Sequence, residues 1–195
     1  MHAVFGFIIK MLPFAAVCLP VYGLVRGLFL YGTHRKINGY REAAMCLFVL
    51  FAAGLASQTL LPPLVWSADG LSFATGSHHE TWLIPLRVLC YTYEDVFVRH
   101  STYSLLINLL GNILMFVPFG FFVPLLWRVP DRTAAAVGSG ASLLIEVVQL
   151  WLPRTTDVDD WLLNTAGTLL GIWLYHRLQS RSGNRLDRFR TERKE

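Results

Sequence analysis

Charge is scarce in this 195-residue chain: Asp, Glu, Lys and Arg together make up 15% of it, against roughly 25% in ordinary soluble domains. Hydrophobic residues supply 54% and the mean hydropathy is +0.45. A water-soluble fold of this length would have to hide more apolar surface than it can enclose, so lipid is the expected solvent and no soluble domain is large enough to fold alone. Cysteine is also sparse. Cys18, Cys46 and Cys90 form an odd set without metal-ligand spacing and read as small apolar fillers. There is no nucleophile elbow, no phosphate-cradling glycine loop, no zinc motif and no internal repeat. The N-terminus lacks the basic-then-apolar layout and cleavage site of a signal peptide, so the first apolar stretch is expected to stay as a span.

Five long apolar stretches are present. They run over residues 4–30, 43–65, 101–127, 134–152 and 161–175; the first four are near the length a helix needs to cross the hydrocarbon core, and the fifth is short but continues into His176 and the basic tail. The reading is therefore an all-α polytopic transmembrane helical bundle of about five spans. Lys10 and Arg26 interrupt the first stretch and are expected to snorkel toward opposite interfaces. Basic residues are unevenly placed: seven of the 17 fall in the last 19 positions. With Arg35, Lys36 and Arg41 between spans one and two, and Arg128 and Arg132 between three and four, they share one side; Arg87, Arg99 and Arg154 lie on the other. The positive-inside rule then puts the N-terminus outside and the C-terminus in the cytoplasm. The tail reads as a topology signal that touches anionic lipid, not as a nucleic-acid site.

The resulting organisation is two leading transmembrane helices over 1–65, an outer amphipathic loop over 66–104, a three-helix core over 105–176 and a basic, disordered cytoplasmic tail over 177–195. The outer loop mixes Trp82, Tyr91, Tyr93 and Phe97 with Glu80, Glu94 and Asp95 around a short amphipathic helix. It is expected to lie on the membrane surface with its aromatics at headgroup level.

Polar side chains inside spans must find a partner, a cavity or a function. Asn108 and Asn112 are one turn apart on the third span. Ser139, Ser142, Glu146 and Gln149 form a stripe on the fourth, and Asp160, Asn164, Gly167, Thr168 and Gly171 form one on the fifth. If the three faces meet, Asn108, Asn112, Glu146, Gln149, Arg154, Asp157, Asp160 and Asn164 make one outward-facing pocket. Asparagine, serine and glutamine also glue membrane helices together, and Gly138, Gly167 and Gly171 read as packing residues, with Gly167-x-x-x-Gly171 offering a homodimer contact. Glu146 stands apart, because a lone carboxylate in lipid costs a few kcal/mol unless paired or protonated. Asp157-Val158-Asp159-Asp160 invites a metal, yet it lacks an EF-hand's glycine and closing glutamate and equally suits acidic capping of the fifth helix. No metal and no cofactor are expected. His78-His79 reads as solvated.

Asn108-Leu-Leu-Gly-Asn112-Ile-Leu-Met-Phe-Val-Pro118-Phe-Gly120, then Glu146-Val-Val-Gln149, Arg154, Asp157-Val-Asp159-Asp160 and Asn164-Thr-Ala-Gly167 together resemble the VanZ-like family, in order and spacing, over residues 83–175. Two features depart from that pattern: Trp82-Leu83-Ile84-Pro85-Leu86 stands where members often read asparagine-leucine-isoleucine-proline-phenylalanine, and the leading span and basic tail lie outside it. The resemblance implies a bacterial envelope protein of the cytoplasmic membrane, and the family is named for resistance to the lipoglycopeptide teicoplanin.

Three functions stay open on the sequence. The first is binding or remodelling of an envelope amphiphile, a membrane lipid or lipid-linked wall precursor. In it Arg154 meets a phosphate or carboxylate, while Asn108, Asn112, Gln149, Asp157 and Asn164 line the site. The second is a membrane enzyme with Glu146 or Asp160 as general base, although no nucleophile is visible. The third is an accessory subunit or small transporter.

Overall fold

The computed structural model describes residues 2–33, 37–61, 64–67, 70–73, 81–82, 84–102, 105–152 and 156–189. The chain is all-α in character, a membrane-type helical bundle with a few very short strands, and divides into two compact units, residues 1–76 with 184–195 and residues 77–183.

The first unit pairs helix α1 (His2–Thr33) with α2 (Gly39–Thr59) and adds a hairpin of β1 (Leu64–Ser67) and β2 (Gly70–Phe73). Helix α2 starts where Asn38, extended, accepts the Arg41 N–H on its side chain, and Glu42 adds an acid to the first turn. Glu42 also receives Arg26 of α1. The guanidinium grips it with two bonds, Nε to Oε2 at 2.8 Å and Nη2 to Oε1 at 2.5 Å, and Tyr22 donates to the same carboxylate at 3.1 Å. A bidentate pair so placed joins α1 to α2.

The tail is also more structured than its composition suggests. A 3-10 helix spans Gly183–Phe189; Asn38 donates to the Arg188 carbonyl at 2.8 Å, and Phe189 meets Tyr40 edge-on at 5.8 Å.

The second unit contains β3 (Thr81–Trp82), α3 (Arg87–Phe97), a π-helical turn (Leu105–Leu110), α4 (Gly111–Trp127), α5 (Asp131–Gln149), β4 (Thr156–Asp157) and α6 (Val158–Ser182). Helix α4 ends at Arg128 in the left-handed region, and α5 follows an extended Pro130 with Asp131 in its first turn. Helices α4 and α6 pack backbone to backbone. A Cβ at Gly120, Gly167 or Gly171 would sit 1.8, 2.0 or 2.1 Å from the carbonyl oxygens of Thr168, Ile113 and Val117. The Gly167-x-x-x-Gly171 face is therefore packed against α4 within the chain. Gly138 plays the same part between α5 and α6, against Thr168.

Among the described residues three helices are long and apolar enough to cross a membrane, over Met11–Thr33, Gly39–Thr59 and Asn108–Trp127. Helices α5 and α6, the other two of the five expected spans, carry more polar residues, and they carry them inward. Ser142 and Thr168 are fully buried and Glu146 is 6% exposed, while Leu144 is 63% and Trp151 74% exposed.

Candidate functional site

The chain between α5 and α6 is held by its own carboxylates. Glu146, one turn before the end of α5, accepts the backbone N–H of Asp157 on Oε2 at 3.2 Å. The Oδ1 of Asp157 accepts the Asp159 N–H at 2.9 Å, a local turn that starts α6. Asp159 is buried and reaches the other way: its two oxygens accept the N–H groups of Leu86 at 2.5 Å and Val88 at 2.7 Å. These are the orphan donors at the start of α3, where Leu86 sits in the left-handed region at φ 69°. Asp160 accepts from the Asn112 amide across to α4. The three aspartates thus diverge to three partners, and among the described residues no group of three or more His, Cys, Asp or Glu side chains is placed to hold a metal ion.

Beside this cap a cleft of about 320 Å³ opens, at the small end of ligand-pocket sizes. Trp82 and Asp157 enter it together, because the parallel β3–β4 bridge sets them opposite one another. Helix α3 supplies Arg87, Tyr91 and Asp95 at four-residue steps along one face, Arg99 follows just past its end, and the π-helical turn supplies Asn108. The Arg87 guanidinium lies 3.1 Å from the Trp82 ring centroid and 4.8 Å from that of Tyr91, and donates to the Tyr91 hydroxyl at 2.8 Å. Arg99 is paired with Glu94 at 3.0 Å and Asp95 at 3.4 Å. Burial holds the Asp157 carboxyl above the usual carboxylate range, and the Asp159 N–H on its oxygen pulls it part of the way back.

The family model described as VanZ/LLP1 matches residues 47–179, more than half of the chain. The chain belongs to the VanZ/LLP1 family. No curated protein and no solved structure matches it. The matched stretch contains the cleft, the Asp159 cap and the α4–α6 seam, so all three lie within the VanZ/LLP1 region.

In this VanZ/LLP1 chain the residues picked from sequence separate into groups. Asn108 and Asp157 line the cleft. Glu146, Asp160 and Asn112 are joined instead to backbone or to each other's helices, away from the cleft lining. Gln149 is buried at the end of α5. Asn164 is buried between α5 and α6, donating to the Ser142 hydroxyl at 2.8 Å, with its Oδ1 lacking a partner among the described residues. Arg154 lies outside the described residues. Asn108 lies in the π-helical turn and lines the cleft, whereas Asn112, in the first turn of α4, donates to Asp160. The residues missed were Arg87, Tyr91, Asp95 and Arg99 as a set. Their signal was present: four cleft-facing residues at i, i+4, i+8 and i+12 in a segment otherwise valued only for its aromatics.

Proposed function

We propose that this VanZ/LLP1 protein is a multi-pass protein of the bacterial cytoplasmic membrane that binds the anionic headgroup of an envelope amphiphile in an outward-facing cleft along α3. One observation carries this reading: α3 turns an arginine-bearing stripe to the cleft and exposes Leu89, Tyr93 and Phe97 elsewhere on its surface. A short helix with an exposed apolar side belongs in the headgroup layer, its polar stripe beside the headgroups. Arg87 then takes the part first given to Arg154, meeting a phosphate or carboxylate with its planar fork.

The contacts between links support the sidedness. Asn38 meets Arg188, two segments assigned to the cytoplasm, and His176 meets Asp131 at 2.8 Å near two further basic links. Trp82 pairs with Asp157, and Leu86 bonds Asp159, two segments assigned to the outside. Each pair joins two segments that the basic residues assign to one and the same side. Binding is favoured over chemistry because Glu146 and Asp160 are occupied as hydrogen-bond acceptors and neither lines the cleft.

The test is teicoplanin susceptibility of a sensitive host carrying the wild type, Arg87→Gln or Glu146→Gln at matched membrane levels. The wild type and Glu146→Gln are expected to protect, since glutamine still offers an oxygen to the Asp157 N–H, whereas Arg87→Gln is expected to lose protection. Equal protection by Arg87→Gln removes the cleft from the function. Loss in Glu146→Gln at full expression would replace binding with a chemical role for that carboxylate.

A further inference from the structure

The cleft is lined by four charged residues, Arg87, Asp95, Arg99 and Asp157, of which Arg87 and Asp157 attract one another without forming an ion pair. Arg99 is met by Glu94 and Asp95. Arg87 is different: it has aromatic rings and the Tyr91 hydroxyl around it, and among the described residues no carboxylate within ion-pairing distance. Asp157 lines the same cleft with one oxygen on the Asp159 N–H and the other without a donor among the described residues. Arg87 acts on Asp157 through space only, so among the described residues each keeps room for a direct charged partner in one small cleft. A ligand carrying both complementary charges gives each of them one.

We propose that the cleft takes a zwitterionic headgroup, its anionic oxygens on the Arg87 guanidinium and its primary ammonium at the Asp157 carboxylate. The inference rests on the headgroup-binding reading and adds the ligand's second charge. It distinguishes three chemistries. A purely anionic headgroup satisfies Arg87 and leaves Asp157 repelling it across the cleft. A quaternary ammonium has no N–H to give a carboxylate and wants an open aromatic cage, but Trp82 and Tyr91 already carry the Arg87 guanidinium. A primary ammonium beside a phosphate or carboxylate meets both Arg87 and Asp157. The raised proton affinity of Asp157 agrees, since a cation placed there stabilises the ionised form that burial disfavours.

The purified full chain in detergent is titrated calorimetrically with phosphoethanolamine, glycerol phosphate and phosphocholine, as wild type, Asp157→Asn and Arg87→Gln. Asparagine keeps the oxygen that accepts the Asp159 N–H, so Asp157→Asn retains the local turn. Phosphoethanolamine is expected to bind about tenfold more tightly than the other two, a difference of ~1.4 kcal/mol. Asp157→Asn is expected to erase that preference and Arg87→Gln to abolish binding of all three. The same comparison in nanodiscs holding phosphatidylethanolamine or phosphatidylglycerol separates a lipid from a soluble source. Preference in nanodiscs alone, lost in Asp157→Asn, assigns the headgroup to lipid and supports the proposal. Glycerol phosphate binding as tightly as phosphoethanolamine, both lost in Arg87→Gln, overturns the zwitterion and leaves the anionic headgroup reading standing. No Arg87-dependent binding in either format overturns both.

Discussion

At the scale of single residues, the side chain that positions the cleft is one that never enters it. Asp159 is 3% exposed and spends both carboxylate oxygens on the first N–H groups of α3, so it fixes where that helix begins and hence where Arg87, its first residue, is held. A carboxylate accepting two backbone donors at a helix start is favoured by charge assistance and by the helix dipole together. Asp159→Ala leaves both donors without an acceptor, at ~1–3 kcal/mol for a buried orphan. Hydrogen exchange is the measurement: the Leu86 and Val88 amides are expected to lose at least about tenfold protection in Asp159→Ala, with Asp159→Asn in between because it keeps one oxygen. Unchanged protection in the alanine variant would mean that α3 is anchored by something other than this cap. Glu146 is read the same way. A carboxylate read from sequence as a candidate base also accepts a turn's N–H, a contact that sequence does not reveal because the donor is main chain, which every residue carries.

At the scale of elements, the α4–α6 seam shows what spacing can and cannot reveal. Small residues four apart state that a backbone comes close; they do not state whose. Gly167-x-x-x-Gly171 is legible as a packing face, but its partner, α4 with Gly120 at the crossing, follows only from the fold. Gly120→Ala and Gly167→Ala are each expected to lower the thermal midpoint of the purified protein, at the upper end of the ~1–3 kcal/mol that overpacking costs or beyond it, because the clash is with backbone oxygen and no rotamer relieves it. Gly140→Ala is the control: nothing lies within 4 Å of its Cβ, and alanine favours helix by up to ~1 kcal/mol. A Gly167→Ala protein as stable as Gly140→Ala would contradict the close approach. Helix α3 was less legible for a different reason. Its cleft stripe mixes Arg87, Tyr91 and Asp95, so no single residue type repeats and hydrophobic periodicity has little to grip.

At the scale of the whole molecule, the polarity of α5 and α6 is reversed from that of helices in a protein in water. Ser142, Glu146, Gln149, Asn164 and Thr168 are buried while Leu144, Trp151, Leu169 and Trp173 are exposed, and the hydrophobic effect would not leave α5 and α6 arranged so in an aqueous solvent. That reversal explains why these two helices fall short on a hydropathy count although their outward faces are apolar: a window averages both faces, and lipid meets only one. Five crossings are therefore expected, where the three most apolar helices alone would put residue 151 on the same side as residue 132. Cysteine accessibility decides it. In a Cys90→Ser background, with Cys18 and Cys46 lying within the first two spans, Trp151→Cys and Arg132→Cys are expressed separately and treated with a membrane-impermeant maleimide. Trp151→Cys, at a position 74% exposed, is expected to react in intact cells, and Arg132→Cys only after permeabilisation. If both require permeabilisation, α5 and α6 do not cross, the Asp157 side of the cleft faces the cytoplasm, and the outward headgroup site has to be abandoned.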